Sequence, residues 1–368
     1  MPLKRRWVGR HFDHDSTNLD PMPSSKRKGF FFEASEFSYY GATATAFEPP
    51  LTVQEFMLLP VSEEQQLRSI LEGMSSGKGK RSMIQGNCSV YPDSRFLCRT
   101  SIDTKKLRDP DYLSENLKSE FQIDPTSNAV RLLSPNLGTE VDLDSNFGKH
   151  LLYCGGETTE LSSLQETLVE MGIYPRSIEI GTITCLGGLI DYLTWKDITA
   201  PVLSVEIQGN FSNVFIVSQK GLLLAKKVNH GINSMIPMLQ KELGLDDEDA
   251  ARKLLFSQTL DFEDIGPRLL RKLMHELQAS TGFFEVQTGV SVAMCFTPVL
   301  PYGFTWILEA LLESLGVTTL EIDLPGWLDH QGIKLSDEVA SQVDGNRDFR
   351  FFTLLGSYSS EDSNEDSN

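Results

Sequence analysis

One pattern occurs twice in this sequence and restricts the possible folds more than any other feature. The stretch "GFFFEASEFSYYGATATAF" from Gly29 and the stretch "VLSVEIQGNFSNVFIVSQKGLLLAKKV" from Val202 both read as β-rich runs joined by tight polar turns. After each, apolar residues at helical intervals alternate with single strand-like runs. A meander followed by α–β alternation, met twice, predicts a duplicated α/β architecture of two lobes with a cleft between them. Ligands of such folds sit at strand ends and turns, which directs attention to the polar turns of the two meanders.

In the first half, "TVQEFMLLPVSEEQQLRSILEGM" carries apolar residues at helical intervals, with "SEEQ" supplying a capping-box start at Ser62. "MIQGNCSVYPDSRFLCRTSI" reads as two strands about a turn at Pro92-Asp93, and "DPDYLSENLKSEFQID" as a short helix. Strands are expected at Ala129 to Leu133, His150 to Cys154 and Ser177 to Ile180. A helix starts at Thr158 or Thr159 and closes at Gly172, and another runs from Thr182 to Leu193. In the second half, "GINSMIPMLQKELGL", "DDEDAARKLLFS" and the long "DIGPRLLRKLMHELQASTGFFEVQTG" are helical. The strand "SVAMCFT", the helix "TWILEALLESLG" and the strand "TTLEIDL" follow, and "RDFRFFTLLGSYS" gives a last short helix packing back on the body.

The 368 residues suffice for two domains, and 40% hydrophobic residues can fill their cores. A net charge of -18 repels phosphate backbones and anionic lipid, which argues against nucleic acid as a partner. Basic residues crowd the first 28 positions (Lys4, Arg5, Arg6, Arg10, Lys26, Arg27 and Lys28), so 1–28 reads as a disordered basic arm and 358–368 as a disordered acidic tail. No apolar h-region follows the basic start, and no continuous apolar run reaches a membrane-spanning length, which predicts a cytoplasmic protein. Five cysteines without CxxC spacing (Cys88, Cys98, Cys154, Cys185 and Cys295) fit reduced thiols.

The order of these elements, with "ETTELSSLQETLVEMGIYPRSIEIGTITCLGGLIDYL", "KKVNHGINSMIPMLQKELGLDDEDAARKL" and "LLRKLMHELQASTGFFEVQTG", resembles the actin-like ATPase superfamily. Within it the sequence is most similar to the PilM family of type IV pilus assembly proteins, with the FtsA division proteins more distant. The resemblance spans about residues 29 to 357 and rests on many weak matches in order. It implies an actin-like (duplicated RNase H-like) two-lobed α/β fold with a small inserted α/β subdomain. The first lobe would run over 29–200, with the insert at about 100–175, and the second lobe over 201–357. It also implies a cytoplasmic scaffold of a pilus or type II secretion-like machine, peripheral to the inner membrane, that grips the cytoplasmic tail of a bitopic partner resembling PilN. The alternative is a working Mg-ATP-dependent ATPase or sugar-kinase-like phosphotransferase of the same fold; a membrane tether resembling FtsA is disfavoured by the acidic tail.

In that family two turns with an Asp-x-Gly core hold the metal and let backbone N–H groups approach phosphate. At the matching positions here, Glu33 stands for the first aspartate, Ser35 for its glycine and Tyr40 for a frequent lysine. In the second turn Glu206 stands for aspartate and Gln208 for glycine, followed by Gly209 and Asn210. Near the base, Thr297 and Pro298 replace a glycine pair, and proline removes an N–H donor. An extra methylene on each carboxylate displaces the metal position by about 1 Å, enough to lower a rate by roughly a hundredfold. These departures predict a vestigial nucleotide site, no catalytic residues and no required cofactor, with ATP and magnesium kept as an alternative through the Glu33 and Glu206 carboxylates. Elsewhere, "SSGKGKRS" misses P-loop spacing, His11 and His14 lack further metal ligands, and no Gly-x-Ser-x-Gly elbow is present.

Overall fold

A computed structural model describes residues 28–75, 83–109, 111–136, 138, 140–141, 149–257, 259–301 and 303–357. The expectations for the arm, for His11 and His14, for the loop "SSGKGKRS" beyond Ser75 and for the acidic tail therefore lie outside the described residues. The chain divides into two compact units, Met1–Tyr192 with Asp323–Asn368, and Leu193–Ile322.

The first unit opens with the antiparallel meander β1 (Gly29–Ala34), β2 (Ser38–Ala44) and β3 (Leu51–Pro60), then a 3-10 turn at Val61–Glu63 and helix α1 (Glu64–Ser75). Strands β4 (Ile84–Val90) and β5 (Phe96–Ser101), helix α2 (Tyr112–Phe121) and strands β6 (Asn128–Leu133) and β7 (His150–Glu157) follow. Helix α3 (Thr158–Glu170), strand β8 (Ile173–Ile180) and helix α4 (Gly181–Trp195) lead out of it. The second unit repeats the opening with β9 (Val202–Ile207), β10 (Ser212–Ser218) and β11 (Gly221–Val228). It continues through α5 (Ile232–Leu243), α6 (Glu248–Phe256), α7 (Gly266–Leu269), α8 (Arg271–Thr288), β12 (Met294–Phe296), α9 (Thr305–Leu315) and β13 (Thr318–Thr319). The chain then returns to the first unit with α10 (Leu324–His330), β14 (Ile333–Leu335), α11 (Asp337–Ala340) and α12 (Gly345–Gly356).

The duplication read from the sequence is present in the sheet order. The first unit has β14-β3-β2-β1-β4-β8 and the second β11-β10-β9-β12-β13. In both, the meander's first strand pairs antiparallel with the second and parallel with a later strand, β4 or β12. Strands β1, β9 and β10 are buried nearly throughout, as central strands covered on both faces must be, and they read as continuous apolar runs. Phe30 and Phe32 pack with Leu67, Leu71 and Leu168 beneath α1 and α3 on one face of the first sheet. The inserted subdomain is a separate sheet, β5-β7-β6, whose core joins Ile102, Leu117, Leu151 and Tyr153.

Four expectations are corrected. Leu51–Pro60 is a strand, because pairing along the whole of β2 outweighs the helical spacing of its apolar residues; the helix starts only at Glu64. The long helix after Asp264 is two helices, α7 and α8, joined at Leu270. The insert's sheet covers Phe96 to Glu157 rather than about 100–175, since β8 pairs with β4 in the main sheet. The second unit ends at Ile322, not 357: β14 pairs with β3, and the apolar face of α12 is buried on the first unit.

Candidate functional site

Each unit carries a tight turn at the end of its leading strand, and the two turns hold the residues singled out from the sequence. In the first, β1 delivers Glu33 opposite Tyr40 of β2 and beside Ser89 of β4, so these side chains share one row of the sheet. Ser35 closes the turn on itself. Its hydroxyl accepts from the backbone N–H of Phe37 at 3.4 Å and of Ser38 at 3.1 Å, and donates to the Ser38 carbonyl at 3.0 Å. The donors that a phosphate would need at this turn are thus engaged by a side chain of the turn itself.

Glu33 is fully buried, and a buried carboxylate requires a counter-charge. Arg350 of α12 supplies it, with Nη2 lying 3.1 Å from Glu33 Oε1, while the Tyr91 hydroxyl donates to Glu33 Oε2 at 3.2 Å. Arg350 Nη2 also donates to Ser38 Oγ at 3.0 Å, and the guanidinium lies 5.0 Å from the Tyr40 ring centre and 5.6 Å from that of Tyr91. Burial works against the charge of Arg350, but the Glu33 carboxylate beside it holds its pKa well above the ordinary value. Tyr40 is equally committed: its hydroxyl donates to Asp348 Oδ1 at 3.3 Å and its ring stacks on Phe351 at 5.4 Å. Burial, ahead of the opposing effects of Arg350 and Asp348, pushes its phenol pKa up.

Helix α12 is placed for these contacts by its own sequence. Asp344 caps it, accepting from Arg347 N at 2.9 Å, and Phe349, Phe351 and Phe352 are buried. Asp348 is held by the Arg347 guanidinium at 2.7 Å and by the Asp344 N–H at 2.8 Å.

At the second turn, Glu206, one residue before the end of β9, lies opposite Asn213 of β10, whose amide donates to Glu206 Oε2 at 3.3 Å. The carbonyls of Gln208 and Gly209 accept from Ile232 N at 2.9 Å and Asn233 N at 2.7 Å, so this turn caps the N-terminus of α5. That close approach requires glycine at Gly231, where a Cβ would fall 2.4 Å from the Gln208 carbonyl oxygen. Asn210 is exposed and accepts from the Asn233 amide at 3.0 Å. Gln208 is 1% exposed, and neither polar atom of its side-chain amide has a hydrogen-bond partner among the described residues. Thr297 is half-buried and Pro298 buried just beyond β12, and the next carbonyl, of Val299, accepts from Ile207 N at 3.0 Å.

Glu33, Ser35 and Tyr40 thus gather in the first unit, and Glu206, Gln208, Gly209, Asn210 and the segment after Thr297 gather in the second. Sequence reading missed Tyr91, Asp348 and Arg350. The available signal was "DFRFF", in which charged residues interrupt a strongly apolar helix and need buried partners. Among the described residues no group of three or more His, Cys, Asp or Glu side chains is placed to hold a metal ion, and no helix is long and apolar enough to cross a membrane. Cys88, Cys154, Cys185 and Cys295 are buried thiols outside any disulfide and Cys98 is half-buried; burial raises the pKa of Cys98, Cys154 and Cys295 to about 12.

No protein-family model and no curated protein matches the sequence. Among solved structures, the chain is similar to one described as a PilM-PilN type IV pilus biogenesis complex, with a TM-score of 0.63 and 13% identity over 90% of this chain and 99% of that one. A protein with actin-like ATPase fold and unknown function from Bacteroides thetaiotaomicron aligns with a TM-score of 0.43 and 10% identity, over 91% of this chain and 99% of that one. The cytoplasmic domain of EpsL, an inner membrane component of the type II secretion system of Vibrio cholerae, gives 0.37 and 10%, over 78% and 94%. At such identity the first likeness is one of fold, and the chain has the actin-like α/β fold that its sequence led us to expect.

Proposed function

We propose that this chain is a non-catalytic actin-like scaffold of a type IV pilus or type II secretion-like machine. In this reading it works in the cytoplasm beneath the inner membrane and binds the cytoplasmic tail of a bitopic protein resembling PilN. The observation that carries the non-catalytic half is the first turn: Glu33 is paired with Arg350 and the turn amides with Ser35, so these residues do not fit a metal-bound triphosphate. The partner half is supported by the likeness to a PilM-PilN complex. The insert offers a matching surface, since in the order β5-β7-β6 the outer edge of β5 has no strand partner among the described residues. An extended peptide pairs with such an edge through main-chain hydrogen bonds.

Two measurements test the reading. Thermal shift of the full chain with Mg-ATP is expected to show no stabilisation at millimolar nucleotide; a ligand at 100 times its Kd would add about 2.7 kcal/mol. Fluorescence anisotropy with labelled cytoplasmic tails of single-span proteins encoded beside this chain is expected to give saturable binding, weakened by Leu97→Pro in β5. Absence of binding by every such tail overturns the partner assignment.

The rival, an Mg-ATP-dependent ATPase or phosphotransferase, draws on the unpaired amide of Gln208 beside Glu206 in the second turn. It predicts nucleotide affinity that disappears in Glu206→Ala.

A further inference from the structure

We propose that α12 is a tethered ligand of the first turn, its Arg350 guanidinium standing in for the cation that would otherwise neutralise the turn's carboxylate. The inference rests on the non-catalytic reading above and names what maintains it.

Glu33 and Arg350 are both withdrawn from water, with side-chain exposures of 1% and 5%, so neither charge is stable there without the other. The guanidinium does more than balance Glu33. It reaches Ser38 Oγ, which belongs to the turn, and lies over the Tyr40 and Tyr91 rings from β2 and the segment after β4. One cation therefore joins the strand end, the turn and the adjoining loop. Two positions before it, on another side of the same buried helix, Asp348 takes the Tyr40 hydroxyl. The flanking Phe349, Phe351 and Phe352 are fully buried, and withdrawing Arg350 means exposing them. A divalent ion at Glu33 would have to displace this positive charge at 3.1 Å, which electrostatic repulsion opposes.

The test is a double-mutant cycle read by thermal unfolding of the full chain, with a small-cation rescue. Arg350→Met is expected to lower Tm by about 10 °C, because it strands a buried carboxylate. Combining it with Glu33→Leu is expected to recover at least half of that loss. In Arg350→Ala, about 10 mM guanidinium is expected to raise Tm, and to do nothing for the wild-type chain or for Arg350→Ala with Glu33→Gln. Should Arg350→Ala fail to fold, Arg350→Lys reads the same point, since it keeps the charge and is expected to lose less than Arg350→Met. Additive losses in the cycle, rescue independent of Glu33, or Lys and Met variants equally unstable overturn the tethered-cation proposal. Stabilisation of the wild-type chain by Mg-ATP instead overturns the non-catalytic reading, and it leaves the cycle to be judged on its own result.

Discussion

The two hairpin turns carry the same pattern, a glutamate with a polar side chain two positions on (Glu33 and Ser35, Glu206 and Gln208), and the structure resolves them differently. At the first, charge answers charge: Arg350 pairs with Glu33, Ser35 takes the turn amides, and Tyr40 is bonded and stacked. At the second, Glu206 meets a neutral amide, the turn's carbonyls cap α5, and the Gln208 amide is left without a partner among the described residues. Similar residues at duplicated positions thus need not have similar energetics. The outcome depends on whether another element reaches the turn with complementary chemistry.

The largest effect expected from this contrast is at the carboxylates. Glu33→Gln leaves Arg350 buried against a neutral group and is expected to lower unfolding free energy by about 3–5 kcal/mol in urea titrations. Glu206→Gln replaces a carboxylate that accepts from the Asn213 amide and is expected to lose about 1–2 kcal/mol. Comparable losses at the two sites would erase the distinction. Next comes Gly231→Ala, where the added Cβ meets the backbone carbonyl of the second turn, with about 2 kcal/mol lost. At the first turn, Ser35→Ala is expected to lose about 1 kcal/mol, because the Phe37 and Ser38 amides lose their acceptor.

Gln208→Leu is expected to be neutral or to stabilise by up to about 1 kcal/mol, since it removes an unpaired buried amide at similar volume. A clear loss there would mean that the amide is bound to something the chain alone does not provide.

The smallest effect is on pH dependence, and it belongs to the second unit. His230 is buried and hydrogen-bonded to the Leu269 carbonyl at 3.0 Å. Burial first, and Lys272 nearby, depress its pKa below the ordinary 6.5, against the opposing pull of the Leu269 carbonyl. The folded state therefore resists a proton that the unfolded state accepts. Its stabilising contribution is present above pH 6.5 and lost as pH falls through the depressed value. Subtracting the stability–pH profile of His230→Gln from that of the wild-type chain isolates this slope, and a flat difference would remove it.

Much of the architecture was legible because it depends on local periodicity. Phe30 to Phe32 read as a buried strand, and Gly172 and Gly316 ended their helices as left-handed residues. Legibility failed where pairing overrules local preference. Leu51–Pro60 carries helical spacing but is held as a strand by β2, and nothing between residues 318 and 345 announced that the chain returns to its first unit. The candidate positions were legible through their place in the repeated meander. Their partners were not: Tyr40 and Asp348 are 308 positions apart, and Ser38 and Arg350 are 312 apart.

Local sequence was enough to read a twice-repeated meander with α–β alternation and a glutamate beside each leading turn. Those properties follow from periodicity, turn chemistry and side-chain volume, which act over a few neighbouring residues. That the Arg350 guanidinium of α12 reaches the first carboxylate, and the Asn213 amide the second, came only with the tertiary contacts. A buried carboxylate needs partners that compensate its lost hydration, and for Glu33 folding brings that partner from the last helix of the chain's described residues.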